Sequence, residues 1–173
     1  ALHLDTNYAL AYAGLGDAYC QRYQKFQFPL DWIDSAIVVS TRSVQIDPTL
    51  AEGYKALGLA FDARGWYEKA LDQYYTAVRF NPNLASAVGN IGVLQQSFGN
   101  LDEALKWLKR SITLSPDRVH TYIAVGIVYQ TLASDSLAFA WYDKAERLEP
   151  DNPLVLINRG WLHLTRGELN LAR

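Results

Sequence analysis

Three features that the chain nearly lacks narrow its class. It has one cysteine, Cys20, and can form no internal disulfide, which fits a reducing compartment and predicts a cytoplasmic location. Its formal net charge of -2 argues against a nucleic-acid partner, because such partners favour a basic surface. No apolar run is long enough to span a membrane, and nothing resembles a signal peptide. Half of the residues are apolar, so we expect an ordered, soluble protein with no membrane partner.

Residue patterns for catalysis or metal binding are also missing. The histidines His3, His120 and His163 show no metal-ligand spacing and have no partner cysteines. Glycines such as Gly16 follow no strand and precede no phosphate-loop lysine. Cys20 carries no signature of a nucleophile. We therefore predict no active site, no metal and no cofactor, and a protein that is not an enzyme.

Repetition is the strongest positive signal in the sequence. Landmark residues of the stretch 51–84 recur at intervals of 34 residues on both sides of it. A period of about 20 to 50 residues marks a solenoid of stacked supersecondary units. The most regular series is formed by alanines, namely Ala36, Ala70, Ala104, Ala138 and Ala172. The other landmarks of the stretch are Tyr54, Leu57, Gly58, Phe61, Tyr74, Ala77 and Pro82.

This order of landmarks resembles the tetratricopeptide repeat (TPR) family, whose pattern is a large residue, Leu-Gly, Tyr, Ala, an aromatic, Ala and Pro. The resemblance implies an all-α fold, a right-handed superhelical solenoid (α-α superhelix) of TPR helix-turn-helix repeats. It also implies that Tyr54, Gly92 and Tyr129 are structural, and that ligands lie on the concave wall. His163 stands at a tyrosine landmark, so we expect it in the core.

The register divides the chain into the repeats of a single TPR array, 1–173. Residues 1–8 fit the end of a preceding repeat, and 9–50 form a repeat with an eight-residue insertion. Complete repeats follow at 51–84, 85–118 and 119–152, and 153–173 form a truncated repeat. The chain is thus expected to be a window on a longer array.

Turn signals separate the predicted helices. A proline follows the second helix of each repeat, and the residue before proline is pushed out of helical geometry. Gly65 and Gly99 suit a left-handed residue after a first helix. Asn100 and Asp102, or Ser134 and Asp135, are candidate caps for the helices that follow.

The first repeat has 20 residues between its glycine and alanine landmarks, against 12 in the second, so an insertion lies near 23–30. Two interpretations are open. In the first, both helices of the hairpin are one turn longer, with Pro29 in a first turn. In the second, Phe26, Phe28 and Trp32 form an exposed aromatic knob for another domain.

Positions 2, 5, 9 and 12 of each first helix form a face that varies between repeats. At 100° per residue these positions fall at roughly 120° to 200°, and the family resemblance places them on the concave wall. With Asn90 from position 6, they give the predicted partner-binding groove: Lys55, Leu59, Asn90, Val93, Gln96, His120, Ile123, Ile127, Gln130, Ile157 and Trp161. Leu154 and Leu164 share this face, where burial against a further repeat is the alternative to ligand contact.

Two binding sites known in TPR proteins do not fit. Chaperone-binding members hold a terminal carboxylate at positions that read here Lys55, Leu59, Asn90, His120 and Ala124, of which only Lys55 and Asn90 match. The asparagine ladder of sugar-transferring TPR enzymes reads here Gly14, Ala56, Asn90, Ala124 and Asn158. We therefore expect neither a carboxylate clamp nor an asparagine ladder.

These patterns predict a non-enzymatic protein-protein interaction scaffold that binds a partner peptide or helix on the concave TPR surface. The alternative is the regulatory TPR arm of a larger signalling enzyme or transcription regulator, because the stretch YALAYAGLGDAY resembles TPR regions of bacterial kinases and cyclases. The truncated repeat is expected to expose a leucine cluster and so to self-associate through this end, by Leu154, Leu156, Leu162 and Leu164.

Overall fold

The computed structural model describes residues 6–26 and 29–165, with side chains for 8–23 and 29–165. These residues form helices and no strand. In chain order the helices are α1 Thr6–Phe26, α2 Asp31–Ile46, α3 Ala51–Ala63, α4 Tyr67–Phe80, α5 Ala85–Ser97, α6 Leu101–Leu114, α7 Val119–Thr131, α8 Asp135–Leu148 and α9 Pro153–Thr165.

The helices recur with the period of the sequence. The first helices of successive hairpins begin at Ala51, Ala85, Val119 and Pro153, and the second helices α4, α6 and α8 begin at Tyr67, Leu101 and Asp135. Each series advances in steps of 34 residues, which is the spacing of the landmarks. The predicted all-α helical-repeat solenoid is confirmed.

The turns follow backbone chemistry. Before each repeat-ending proline the chain is extended, with φ of -129° at Asp47 and -132° at Asn81. Gly65 and Gly99 have φ of 82° and 79°, as predicted for left-handed residues after a helix. Ala133 holds the equivalent place in the third turn with φ of 51°, a conformation that strains a residue with a Cβ.

Two predicted helix caps, Asn100 and Ser134, are right in position but wrong in their hydrogen bonds. Asn100 and Ser134 precede α6 and α8, but neither side chain makes a capping hydrogen bond. The Asn100 side-chain amide instead donates to the Gln95 side-chain oxygen at 2.8 Å. The Ser134 hydroxyl donates back to the Leu132 carbonyl at 3.4 Å. Both side chains therefore bond to the preceding turn rather than to the next helix.

The first hairpin is longer than the others. α1 has 21 residues against 13 in α3, and α2 has 16 against 14 in α4. α1 also begins at Thr6, before the predicted repeat start at Ala9. Threonine stands there in place of the proline of the other repeats, so the backbone keeps its N–H and can stay helical.

Trp32 does not belong to an exposed aromatic knob, contrary to the second interpretation of the insertion. Trp32 is half-buried, and its ring packs edge-on against Tyr19 with the centroids 5.3 Å apart. Pro29 precedes α2 rather than lying inside its first turn, and its carbonyl accepts the Trp32 N–H at 3.0 Å. The side chains of Phe26 and Phe28 lie outside the described residues.

Two compact units make up the chain, unit 1 at Ala1–Ile91 and unit 2 at Gly92–Arg173, with the division inside α5. Part of the unit 1 core is formed by Cys20, Ile33, Ala36 and Ala60. The unit 2 core contains Ala104, Leu108, Ala124, Val125 and Val128, and also Val119, Ile123, Ala138, Tyr142, Ala145, Val155 and Leu162.

Small landmarks let the paired helices approach closely. Ala36, Ala70, Ala104 and Ala138 are fully buried, and Ala172 lies outside the described residues. A Cβ placed on Gly58 would lie 2.6 Å from the Tyr74 ring, and one on Gly92 would lie 2.7 Å from Leu108 Cγ. Such distances leave no room for a side chain, so Gly58 and Gly92 are required by the packing, whereas a Cβ on Gly160 at the end of the series would meet no atom within 4 Å.

One residue of the predicted self-association cluster is buried. Leu162 is 1 % exposed and packs in the same core cluster as Val155 and Tyr142, so its predicted exposure is wrong. The reason is helix geometry, because Leu162 follows Val155 by seven residues and so shares its face of α9. Leu154, Leu156 and Leu164 are exposed, as predicted.

Candidate functional site

A groove of about 310 Å³ opens on the first helices of unit 2. It is formed by the last part of α5, by α7 and by the start of α9. Its lining residues are Val93, Gln96, Ser97, His120, Ile123, Ala124, Ile127 and Leu154.

The groove has a fixed apolar floor and more exposed walls. Ile123 and Ala124 are buried and belong to the unit 2 core, so the floor is held by packing. Val93 and Leu154 are 41 % and 46 % exposed on the walls. His120 is exposed and brings a polar group to an otherwise mainly apolar surface. This mixture is typical of a site for an apolar group with polar neighbours.

The groove unites five of the residues predicted from the sequence: Val93, Gln96, His120, Ile123 and Ile127. Sequence reasoning left Ser97, Ala124 and Leu154 out of the site. Ala124 and Ser97 occupy positions 6 and 13, at roughly 240° and 220° on the helical wheel. The residues that line the groove therefore span a wider arc of the helical wheel than 120° to 200°. A prediction based on the wider arc would have included Ser97 and Ala124.

Three predicted residues of unit 2 do not line this groove. Ile157 and Trp161 lie on α9 and are 54 % and 60 % exposed. Gln130 is engaged in its own hairpin, where its side-chain oxygen accepts a hydrogen bond from the Tyr142 hydroxyl at 2.9 Å. Its geometry therefore points to a structural role.

The predicted residues of unit 1 have a different environment. Lys55 forms an ion pair with Asp17 of α1, and the two side chains are 13 % and 23 % exposed. Leu59 is half-buried against the core cluster around Cys20. Asn90 lies beside the buried side chain of Tyr74. These residues form a polar and largely closed surface.

Burial dominates the electrostatics of that surface. Burial, followed by the charge of the neighbouring Asp17 carboxylate, raises the pKa of the Cys20 thiol to about 12. Burial also raises the pKa of the Asp62 carboxyl above its ordinary value. The thiol therefore stays protonated near neutral pH, which removes the reactive thiolate form.

A second depression of about 350 Å³ lies between α6, α7 and α8. It is lined by Ile112, Tyr122, Trp141, Lys144, Arg147 and Leu148. In unit 1, Tyr54 and Phe80 occupy the places of Tyr122 and Leu148, and their rings stack with centroids 5.5 Å apart. Leucine in place of phenylalanine leaves part of that space open in unit 2.

Within the described residues, no group of histidine, cysteine, aspartate and glutamate side chains could hold a metal ion. His163 was predicted in the core, but it is half-buried, with its ring 4.8 Å from that of Phe139, and His3 lies outside the described part. Among the described helices, none combines the length and the apolar character needed to cross a membrane.

The repeated hairpins define a helical-repeat protein, and part of the chain matches a known repeat family. Residues 42–117 match the tetratricopeptide repeat family. The 34-residue pattern and the helical hairpins continue on both sides of this segment, so the chain resembles tetratricopeptide repeat proteins in its repeat pattern and its fold. No curated protein matches its sequence.

Solved TPR structures share the fold at low identity. A structure from the functional characterization of Pseudomonas aeruginosa pilF is 24 % identical, with 96 % of this chain and 72 % of that chain covered and a TM-score of 0.80. The crystal structure of MamA is 22 % identical, with 80 % and 88 % covered and a TM-score of 0.61. The first TPR of Spaghetti (RPAP3), bound to the HSP90 peptide SRMEEVD, is 22 % identical, with 78 % and 100 % covered and a TM-score of 0.63.

Proposed function

We propose that this chain is a non-enzymatic interaction module that binds an apolar segment of a partner peptide or helix in the groove of unit 2. The observation that carries the proposal is the open apolar groove on the first helices, with exposed Val93 and half-buried Ile127 above a buried floor. Peptides and helices bind such grooves by apolar anchor residues. The structure of a related fold with a bound peptide supports this mode.

The groove favours an apolar ligand over a terminal carboxylate. Of the two residues that match the carboxylate clamp, Lys55 is paired with Asp17 and Asn90 lies beside Tyr74. The remaining clamp positions hold Leu59, His120 and Ala124, none of which carries a permanent positive charge. Unlike the HSP90 peptide, with its acidic residues, the ligand proposed here contacts the groove mainly through aliphatic or aromatic side chains.

A selection from a random displayed-peptide library tests the proposal. We expect peptides enriched on the wild-type chain to carry apolar anchors, and their Kd to be measurable by fluorescence anisotropy. Ile127→Glu should weaken binding at least tenfold, because it puts an unpaired charge against the apolar anchor. Leu137→Glu is the matched control, since Leu137 is an exposed leucine on α8, outside the groove lining.

Circular dichroism separates binding from folding. If Ile127→Glu keeps its helical content and cooperative melting but loses the peptide, the groove is the binding site. If it loses cooperative melting, Ile127 serves to pack neighbouring helices and the proposal fails at this residue.

Trp161→Ala tests whether the ligand extends to the exposed tryptophan of α9. Truncation of a tryptophan at the centre of an interface costs about 2 kcal/mol or more of binding free energy.

Other expectations stay predictions. They comprise the regulatory-arm alternative and the cytoplasmic location predicted from Cys20. Self-association through α9 is a further one, now with Leu154, Leu156 and Leu164 as its candidate surface. Sedimentation over a concentration series tests it, and a strictly monomeric protein at high concentration would contradict it.

A further inference from the structure

The depression between α6, α7 and α8 has room for an aromatic side chain. Its volume is about 350 Å³, whereas an engineered cavity of roughly 150 Å³ is large enough to hold benzene. Tyr122 and Trp141 form an aromatic part of its lining, with their ring centroids 5.9 Å apart. The Tyr122 hydroxyl donates a hydrogen bond to the Pro116 carbonyl at 2.9 Å, which anchors this ring. The depression is distinct from the groove on α5, α7 and α9.

The equivalent place in unit 1 is filled by the chain itself. There the Phe80 ring stacks on the Tyr54 ring, with the centroids 5.5 Å apart and an angle of 23° between the planes. The guanidinium carbon of Arg79 lies 5.3 Å from the centroid of the same Phe80 ring. The Phe80 ring thus combines aromatic stacking with a cation–π contact.

Unit 2 has the same tyrosine and arginine but lacks the ring between them in the sequence pattern. Tyr122 and Arg147 stand two periods after the tyrosine and the arginine of unit 1. Leu148 takes the place of Phe80, and its side chain is 44 % exposed beside the open space. Unit 1 therefore shows which group is complementary to the depression of unit 2, namely a phenyl ring.

Two cations border the depression without an ion-pair partner. Lys144 and Arg147 are exposed residues of the lining, and neither forms an ion pair within the described part of the chain. The Lys144 ammonium lies 3.8 Å from the centroid of the tryptophan ring of the lining, so it is held at the depression. Asp143 and Glu146 of the same helix pair with Arg159 instead. The charge of the depression therefore favours an acidic ligand.

We propose that this depression binds a phenylalanine side chain of a partner protein that is flanked by acidic residues. The ring takes the place that Phe80 has in unit 1, and the flanking carboxylates pair with Lys144 and Arg147. An ammonium has three N–H donors, and a guanidinium can bind a carboxylate through two parallel hydrogen bonds. The inference does not rest on the groove of unit 2, whose proposed ligand is an apolar segment.

The probe is the peptide acetyl-Glu-Phe-Glu-amide, followed by NMR of the Trp141 indole and the Tyr122 ring. We expect both sets of resonances to shift and to saturate as the peptide is added. Two matched peptides, acetyl-Gln-Phe-Gln-amide and acetyl-Glu-Ala-Glu-amide, should bind at least about tenfold more weakly, because one lacks the charges and the other lacks the ring. A probe that shifts neither residue, or equal binding of either matched peptide, would overturn the proposal.

The variant Leu148→Phe fills the depression from within, because it copies the Tyr54–Phe80 pair of unit 1. We expect it to melt near the wild-type temperature and to bind the probe at least about tenfold more weakly. Unchanged binding by this variant would refute the insertion of a ring. 3-Phenylpropionate is a further arm, and tighter binding of this small acid than of the peptide would overturn the assignment to a partner protein.

The variant Lys144→Thr tests the charge without filling the space, since threonine is the residue at this position in unit 1, Thr76. It should bind the probe about tenfold more weakly, the effect of losing a hydrogen bond between charged groups. Lys69→Thr is the matched control, because the Lys69 ammonium also lies over a tryptophan ring, 4.4 Å from the centroid of Trp66, but outside the depression. Equal binding by the two lysine variants would refute the site.

Discussion

Units 1 and 2 use the same packing for different surfaces. In both, a glycine of the first helix meets a tyrosine ring of the second, at Gly58 with Tyr74 and at Gly126 with Tyr142. On the variable face, unit 1 places Lys55 against Asp17, whereas unit 2 opens an apolar groove around Ile127. The repeated landmarks thus set the hairpin, and the positions between them set the chemistry of its surface.

The largest expected effect tests the packing that the units share. A Cβ on Gly58 would meet the Tyr74 ring at 2.6 Å, so Gly58→Leu should destabilise unit 1 by about 1 to 3 kcal/mol through overpacking. Gly126→Leu should act similarly in unit 2. Gly14→Leu is the control, because no atom lies within 4 Å of a Cβ placed there. Urea unfolding measures all three, and equal stabilities would refute the role of the glycines.

A second substitution tests the closed surface of unit 1. Lys55→Met should cost about 1 to 3 kcal/mol, because it leaves the partly buried Asp17 without its cation. In unit 2, Arg159 pairs with Asp143 at 3.0 Å and also with Glu146, and these side chains are more exposed than those of Lys55 and Asp17. Arg159→Met should therefore cost about 0 to 1 kcal/mol. If thermal melting finds equal losses, burial does not distinguish the two pairs.

The turns of the two units give a smaller expected effect. Ala133 has the left-handed backbone conformation that Gly65 adopts in unit 1. Ala133→Gly should raise stability by about 1 kcal/mol, because it removes the clash of the Cβ with the backbone. Ala140→Gly inside α8 should lower it by about the same amount. A loss of melting temperature in Ala133→Gly would show that this turn is not strained.

The smallest expected effect is the pH dependence that Asp62 gives to unit 1. Burial raises the pKa of folded Asp62, so the folded chain keeps a proton that the unfolded chain has lost, and stability falls as pH rises through this window. Asp17, Cys20, Lys55 and Tyr74 share its surroundings. Asp62→Asn should remove this loss, so its stability advantage should grow from acidic to neutral pH.

Urea unfolding across that pH range measures the advantage of Asp62→Asn over the wild type. Asp72→Asn, on the exposed side of α4, is the control and should run parallel to the wild type. An advantage that is constant from acidic to neutral pH would contradict a raised pKa of Asp62.

The sequence predicted the scaffold better than the site. The buried alanines, the glycines at helix contacts and the extended residues before proline were all readable from the 34-residue period. These features depend on the size and backbone preference of single residues, and they recur wherever the same residues recur. The predicted cap at Asn100 is not formed: its side-chain amide nitrogen donates to the Gln95 side-chain oxygen, a contact between two side chains that a pattern of cap residues does not predict.

The sequence by itself determined the repeat, the helical hairpins and the absence of any motif for catalysis, because periodic landmarks report directly on helix packing. Only the tertiary structure decided which variable residues share a surface. It placed Leu154 and Ala124 in the groove, left Ile157 and Trp161 outside its lining, and buried Leu162. A helical wheel gives the direction of a side chain on one helix. Whether that side chain meets solvent, a core or a groove depends on the helices packed beside it, which lie tens of residues away in the chain.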